Sequence, residues 1–390
     1  MKFIYLIRTI FLLVLFIGIF GLLNYYVGKR SYTAITKFIP VVGTKLYWTI
    51  FWIAALSYII SSIGRNFLPH YIRSPFTVIG VYWMSAFFYL LLLLPIADIL
   101  RFIFHKTALG KTSIGNFLSF IYGNGLIVVI LVIGLIFYGM YNASHTVVTD
   151  YSLNIDKKAG KIKTLNIAMV SDIHLGSGIN NKKLSDMVDS INKLNPDIIF
   201  LCGDIIDENT STSEKKYMTS AFKNLKSKYG VYAIAGNHEN YSNDLNDLAN
   251  NYKESNVKLL LDETVIVDNS FVVIGRMDAS FSRGEGNNRK DIKQLLSKLD
   301  PSLPIINLDH QPVSLDEAEK NGIDLQLSGH THKGQIFPLN LITKKIYVDD
   351  YGYYKKDNYQ LIVSSGYGTW GPPIRIDTKG EIVNIKVKFQ

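Results

Sequence analysis

Cysteine is almost absent from this sequence, since Cys202 is the only one among 390 residues. A single cysteine excludes a disulfide framework and a zinc site built from several thiolates. Cys202 ends the apolar run that begins at Ile198, and we expect it to be a small buried side chain.

Acidic residues are scarce in the first 150 residues, which hold eleven Lys and Arg but only two acids, Asp98 and Asp150. The totals of 41 basic and 32 acidic residues therefore leave 30 of each sign for the rest, so the net charge of +9 belongs to the first part. A nucleic-acid-binding domain would carry the excess positive charge itself, and the balanced second part argues against a nuclease or a nucleic-acid partner.

Four long apolar stretches occupy the first part of the chain. They run approximately over Thr9–Val27, Leu46–Ile63, Phe76–Ala97 and Phe117–Met140. Each has about 18 residues or more, enough to cross a hydrocarbon core as a helix. The first is too long for a signal peptide and lacks a small-x-small cleavage pattern. We therefore predict a transmembrane domain of four helices over residues 1–145, and a multi-pass protein of the cell membrane.

Basic residues between these stretches predict the orientation in the membrane. Seven flank the first and third loops: Lys29, Arg30, Lys37, Lys45, Arg101, Lys106 and Lys111. Four lie on the other side: Lys2, Arg8, Arg65 and Arg73. This count favours an extracytoplasmic second domain, although Lys157 and Lys158 favour the opposite.

Residues 146–390 have a different hydrophobicity pattern, in which short apolar runs alternate with polar helical segments. The predicted strands are Leu165–Val170, Ile198–Cys202, Val231–Ala235, Phe271–Ile274, Pro304–Leu308 and Leu325–Leu327. The predicted helices are Lys182–Leu194, Lys215–Lys228, Leu245–Glu254 and Arg289–Leu299. This alternation is typical of α/β domains, whose sites gather at the carboxyl ends of strands.

Five of the eight histidines come just after a predicted strand, together with two acids and an amide. They are His174, His238, His310, His330 and His332, accompanied by Asp172, Asp204 and Asn237. Residues two apart in an extended segment point the same way, so Asp172 with His174, and His330 with His332, are each expected to present two ligands. Imidazole and carboxylate together suit manganese, iron or zinc.

The ordered set of blocks resembles the calcineurin-like metallophosphoesterase superfamily. The blocks are Asp172-x-His174, Gly203-Asp204, Gly236-Asn237-His238-Glu239, His310 and Gly329-His330-x-His332. The likeness spans about Lys163 to Arg375 and is closest to bacterial membrane-associated members, in which a glycine stands where this chain has Lys333. It implies a four-layer α/β/β/α sandwich behind the transmembrane helices.

The resemblance also implies a role for each residue. Asp172, His174 and His332 would hold a first divalent metal ion, and Asn237, His310 and His330 a second, with Asp204 bridging both. Two such ions share a water and lower its pKa, which yields a hydroxide that attacks phosphorus in line. His238 would face the leaving group as general acid, or steady the phosphoryl oxygens.

Three further residues have open roles. Asp207 either supports Asp204 or caps the loop that follows it. Asp309 is expected to point away from the site and to be structural. Arg375 either contacts a substrate phosphate or is a surface arginine at a strand end.

These observations predict a membrane-anchored, metal-dependent phosphoric ester hydrolase acting on phosphodiesters or phosphomonoesters. The anchor suggests lipid or envelope substrates, so the expected partners are a phosphoester substrate, which can be lipid-linked, and the membrane lipids. The alternative is a catalytically inactive phosphoesterase fold that serves as a binding module on a membrane anchor. An inactive member would be expected to lack His238 or a ligand, and none is missing here.

Overall fold

The protein is described here by a computed structural model that covers residues 2–64, 67–107, 112–113, 115, 125–176, 178–208, 210–242, 245–283 and 289–390. The chain divides into two compact units, residues 1–138 and 139–390.

The first unit is built from apolar helices. They are α1 (Lys2–Phe38), α2 (Thr44–Ile63), α3 (His70–Lys106) and α4 (Leu126–Ser144), whose last residues belong to the second unit. Among the described residues, four helices are long and apolar enough to cross a membrane, as predicted. The beginning of the fourth predicted stretch, residues 117–124, lies outside the described residues, as do Arg65 and Lys111.

Helices α1 and α3 are longer than the predicted apolar stretches and include basic residues that were expected in loops. Lys29, Arg30 and Lys37 belong to α1, and Arg101 and Lys106 belong to α3. Asp98 on α3 forms an ion pair with Arg30 and accepts a hydrogen bond of 2.7 Å from the Tyr26 hydroxyl. The ion pair offsets the cost of placing a carboxylate inside an apolar bundle.

The second unit contains two six-stranded sheets. The strands are β1 (Val147–Ile155), β2 (Thr164–Val170), β3 (Ile198–Cys202), β4 (Val231–Ile234), β5 (Val257–Leu259), β6 (Glu263–Val267), β7 (Phe271–Gly275), β8 (Ile305–Leu308), β9 (Leu325–Ser328), β10 (Gly352–Lys356), β11 (Tyr359–Val363) and β12 (Glu381–Phe389). The first sheet has the order β1-β12-β2-β3-β4-β5 and the second β10-β11-β9-β8-β7-β6.

Parallel pairing dominates the middle of both sheets. In the first sheet β2, β3, β4 and β5 are parallel, and in the second β7, β8, β9 and β11 are parallel. All residues of β3 and β8 are buried, as expected for parallel strands covered on both faces. The six predicted strands are confirmed as β2, β3, β4, β7, β8 and β9.

Helices connect many of these strands. They are α5 (Asn181–Lys193), α6 (Thr212–Phe222), α7 (Asn237–Ser242), α8 (Leu245–Glu254), α9 (Ile292–Leu296), α10 (Leu315–Lys320) and α11 (Asn340–Ile346). Short 3₁₀ turns occur at Ala279–Arg283 and His332–Gly334.

Three apolar layers hold these elements together. The central layer, with Met169, Phe200 and Leu308 at 0% exposure, is shared by the two sheets. A second layer packs α5, α6 and α8 on the first sheet, and a third packs α9 and α10 on the second. The predicted α/β/β/α sandwich behind membrane-span helices is thus confirmed, and Cys202 is buried in its centre as expected.

Candidate metal centre

The predicted site residues follow five parallel strands at one edge of the sandwich. Asp172 and His174 follow β2, Asp204 follows β3, and Asn237 with His238 begins α7 after β4. His310 follows β8, and His330 and His332 follow β9. The site therefore takes side chains from both sheets.

The backbone that carries Asp172 and His174 is not extended as we expected. Their φ angles are 52° and 50°, and those of His330 and His332 are 70° and 50°. Left-handed conformations are rare for such residues and gather at sites where the surrounding structure enforces them. Each pair does face one pocket, but through tight loops rather than through the alternation of a strand.

One group of ligand atoms comes from Asp172, His174 and His332. The Nε2 atom of His332 lies 3.3 Å from Oδ1 of Asp172 and 3.0 Å from Nε2 of His174. The Nε2 atom of His174 lies 4.0 Å from Oδ1 of Asp172 and 4.0 Å from Oδ2 of Asp204. Two imidazole nitrogens and a carboxylate oxygen thus surround one point.

A second group comes from Asp204, His310 and His330. The Nε2 atom of His310 is 3.0 Å from Oδ2 of Asp204, and the His310 and His330 rings are 5.2 Å apart. Nδ1 of His310 donates to the Cys202 carbonyl at 2.8 Å, which turns Nε2 toward the pocket. Such a bond from the second ring nitrogen is typical of metal-binding histidines.

These residues fit divalent cations, because several of their buried polar atoms lack hydrogen-bond partners in the described structure. Nε2 of His310, Nδ1 of His174 and Oδ1 of Asn237 are such atoms. An unpaired buried acceptor is costly unless an ion or water satisfies it. The three-residue groups Asp172, His174, His332 and Asp204, His310, His330 each have ligand atoms within 4.8 Å of one another.

Burial and the neighbouring charges adjust the protonation of these ligands. Burial raises the pKa of Asp172, but His332, His310 and His174 together hold it below its usual value. Burial and neighbouring histidines lower the pKa of His174 and of His330 to about 4. Ionised carboxylates and neutral imidazoles are the forms that bind metals.

His238 stands beside these groups and is held by acids. Its ring centroid is 4.7 Å from that of His174, and its Nδ1 is 2.8 Å from Oδ1 of Asp207 and 3.4 Å from Oε1 of Glu208. Burial lowers the pKa of His238, but the hydrogen bonds with both acids raise it to about 11. Asp207 therefore acts on His238, a contact that neither of its two expected roles included; it also accepts from the amide of Glu208.

Glu239 is a buried residue of the site for which the sequence patterns predict no role. Its carboxylate accepts backbone N–H bonds from four residues: Asp204, Ile205, Ile206 and Gly236, at 2.7–3.1 Å. Burial and the neighbouring Asp204 raise its pKa to about 7. Glu239 thus ties the loop after β3 to the loop after β4, and so positions two of the predicted ligands.

Arg375 is neither a substrate-facing nor a surface residue, so both expected roles are wrong. It is 0% exposed and donates to the carbonyls of Ser365, Gly366, Gly368 and Lys379. The guanidinium is too well enclosed to reach a substrate, because carbonyl groups of its own loop surround it.

Two other residues have clear positions. Asp309 forms an ion pair with Arg289, which agrees with a structural role. Lys333 has a φ of 51°, a conformation that favours glycine, and its Nζ lies 4.6 Å above the Tyr351 ring. Lys333 therefore has a backbone conformation that glycine adopts more easily than lysine does.

Five of the seven predicted ligands, together with His238, line a cleft of about 350 Å³. His174, Asp204, Asn237, His238, His330 and His332 line one side. The apolar side chains of Leu339, Ile342, Ile346 and Trp370 line another side.

Comparison with known proteins identifies relatives along most of the chain. Residues 165–334 match the family model of calcineurin-like phosphoesterases. An uncharacterized metallophosphoesterase of Campylobacter jejuni is 30% identical over 379 residues, which cover 95% of this chain and 96% of that protein.

Two further relatives match a smaller share of the chain. An uncharacterized metallophosphoesterase of Helicobacter pylori is 34% identical over 227 residues, covering 58% of this chain and 60% of that protein. A protein of Danio rerio described as a transmembrane protein with metallophosphoesterase domain is 30% identical over 263 residues, covering 64% of this chain and 60% of that protein.

Proposed function

This chain belongs to the calcineurin-like phosphoesterase family, and from that premise we propose that it is a membrane-anchored hydrolase of phosphodiester or phosphomonoester bonds. The observation that carries the proposal is the meeting of two ligand groups in one cleft beside His238. Asp172, His174 and His332 would hold one divalent cation, Asn237, His310 and His330 a second, and Asp204 both. Manganese, iron and zinc suit these donors.

When bound, such a pair of cations supplies an activated water and neutralises the charge of the phosphoryl group. The protein's own contribution begins with His238, which faces the cleft with Nδ1 bound to Asp207. That bond keeps the ring protonated and oriented, so that His238 donates a proton to the leaving oxygen or a hydrogen bond to the phosphoryl group. Glu239 accepts hydrogen bonds from the backbone amides of Asp204, Ile205 and Ile206, and so positions Asp204, which would bind both cations.

The test is hydrolysis by the full chain in detergent. We expect bis(p-nitrophenyl) phosphate or p-nitrophenyl phosphate to be hydrolysed with manganese, iron or zinc, and not with a chelator. Asp204→Ala and His238→Ala should each lower kcat by about 10²-fold or more. The matched controls Asp189→Ala and His145→Ala change exposed residues and should leave kcat unchanged.

Two outcomes would contradict the proposal. Absence of hydrolysis with every metal would favour the inactive binding module. Full activity in Asp204→Ala would contradict a shared pair of cations.

We also propose that the hydrolase unit lies on the extracytoplasmic side of the membrane. The support is the excess of basic residues near the first and third loops, seven against four. One of the seven, Arg30, is neutralised by Asp98 and so contributes less to that count.

The buried Cys202 allows a direct test of this orientation, because it leaves a single introduced thiol as the reactive one. Lys298→Cys, at an exposed position, should react with an impermeant maleimide in intact cells. Lys37→Cys, on the predicted cytoplasmic side, should react only after permeabilisation. The reverse pattern would place the hydrolase unit in the cytoplasm.

A further inference from the structure

Helix α11 presents its apolar side chains outward. Leu341, Ile342 and Ile346 are 51%, 53% and 67% exposed, whereas Asn340 is buried. The inward side chains are polar and bonded: Nδ2 of Asn340 donates to Oδ2 of Asp377 at 2.8 Å, and the Thr343 hydroxyl donates to Asp350. A surface helix of a soluble protein normally has the opposite arrangement, with its apolar stripe facing the core.

The outward apolar residues belong to a larger set around the cleft, which we call the apolar rim. Its members are Phe337, Leu341, Ile342, Ile346, Val348 and Trp370. Single exposed apolar residues are ordinary, but a group of them beside a cleft is typical of an interaction surface. Val348, at 72% exposure, is the most exposed member.

The apolar rim is continuous with the candidate metal centre. Ile342, Ile346 and Trp370 line the same cleft as His238 and His330. A molecule whose phosphoester reaches the ligand groups therefore has apolar side chains along its path. A small, fully hydrated phosphate compound would gain nothing from these side chains, whereas an acyl or isoprenoid chain would be stabilised by them.

Charge and chain connectivity select a lipid surface over other apolar partners. Lys344 and Lys345 are exposed on α11, among the apolar residues, and such a mixture suits the boundary between acyl chains and anionic headgroups. The second unit also follows the last membrane-span helix directly in the chain, because α4 ends at Ser144 and β1 begins at Val147.

We propose that the apolar rim inserts into the interface of a bilayer that contains anionic phospholipids. The insertion would present a phosphoester at headgroup level directly to the cleft, a consequence that rests on the proposed hydrolase function. The insertion itself does not depend on catalysis.

The test uses the full chain in vesicles of phosphatidylcholine and phosphatidylglycerol. A cysteine introduced as Val348→Cys is labelled with a polarity-sensitive fluorophore, since Cys202 is buried and does not compete. Interfacial segments lie about 5–10 Å below the headgroup boundary, so nitroxide lipids labelled near the glycerol should quench the fluorophore at least about twofold. Lipids labelled at the chain end should quench it less. Both leaflets contain the quencher, so the orientation of the protein does not matter.

The matched control is Ile266→Cys, another exposed branched apolar residue, 48% exposed on β6. β6 and β10 are the opposite edges of the second sheet, and α11 immediately precedes β10. We expect no quenching at position 266. Equal quenching of the two labels by nitroxide lipids would overturn the proposal.

A second substitution tests whether the rim causes the insertion. Leu341→Asp, at an exposed position outside the lining of the cleft, should decrease quenching of the label at position 348, whereas Ile266→Asp should not. Bound manganese, measured in both variants, shows that the fold is retained. Unchanged quenching in folded Leu341→Asp overturns the proposal. Strong quenching without any hydrolysis would leave the insertion established and contradict only the proposed enzyme function.

Discussion

Asp207 and Glu239 are buried acids that act on the candidate centre without being predicted ligands. Asp207 holds the ring of His238, and Glu239 holds the backbone of Asp204. Neither role could be read from spacing, because both acids act across loops from separate strands. Glu239 belongs to the sequence block that contains Asn237 and His238, but only the folded loops show which N–H groups its carboxylate binds.

Changing Asp207 to Asn should alter the protonation of His238 without removing a ligand. The Asp207 carboxylate raises the pKa of His238, so its loss should let the ring deprotonate at lower pH. We expect the alkaline limb of the kcat–pH profile to move down by more than about one unit, and kcat to fall about 10–100-fold.

Bound metal should be unchanged in Asp207→Asn, and Asp189→Asn on α5 serves as the control. An unchanged alkaline limb would mean that His238 does not donate the proton in the reaction.

The residues that the structure brings together at this edge could be named from the sequence, but their backbone conformation could not. Their identity followed from the order of the blocks after apolar runs. The extended geometry assumed for Asp172 and His174 is wrong, since both have positive φ. Such strained conformations depend on tertiary contacts, including the bonds from the His330 amide to the Asp172 carboxylate.

At the scale of secondary structure, the strands that lead into the centre were the easiest to predict. β3 is uniformly apolar and buried, and β2 and β8 are interrupted only by Thr164, Asn166 and Asn307. Strands that are covered on both faces read as such apolar runs in the sequence. The predicted α6 region, Lys215–Lys228, differs from the observed Thr212–Phe222, which begins at a Ser211–Glu214 capping box. That capping signal was present in the sequence and would have corrected the start.

The strands that were not predicted have mixed or polar patterns. β1 alternates exposed and buried residues, and β10 is mostly exposed. β12 alternates only in its second half. Their pairing joins segments far apart in the chain, which local periodicity does not report.

The segment from Ser364 to Gly380 forms a loop held from inside by Arg375. The guanidinium donates hydrogen bonds to carbonyls of this loop. The loop also contacts Asp172, because the Gly368 amide donates to the Asp172 carbonyl at 2.7 Å. Arg375→Met should leave these carbonyls buried and unpaired, and should lower the free energy of unfolding by at least about 3 kcal/mol.

Urea unfolding of Arg375→Met against Lys379→Met measures this effect, because Lys379 is an exposed cation of the same loop. Equal unfolding midpoints for the two variants would show that the Arg375 bonds do not stabilise the loop.

For the whole molecule, the main feature is that the candidate centre joins the two sheets. Asp172, Asp204 and Asn237 follow strands of the first sheet, whereas His310 and His330 follow strands of the second. Cations bound by both sets would link the halves of the sandwich, and ligands that bind only the folded state stabilise it.

Removal of metal should therefore lower the Tm of the second unit. We expect a decrease of about 5–10 °C on adding chelator, measured by scanning calorimetry of the full chain. Asp204→Ala should show little difference between metal and chelator. A wild-type Tm that does not change with chelator would contradict the link.

The order of strands in the first sheet has a consequence for biosynthesis. β12 lies between β1 and β2, and its Asn384 bonds Asp150 of β1 across 234 residues. At ribosomal speeds of about 5–20 residues per second, β1 and β2 wait roughly ten to fifty seconds before the strand that separates them is made. During that delay the nascent chain exposes open sheet edges near a membrane, so a holding chaperone or a slow-folding intermediate is expected for this protein in the cell.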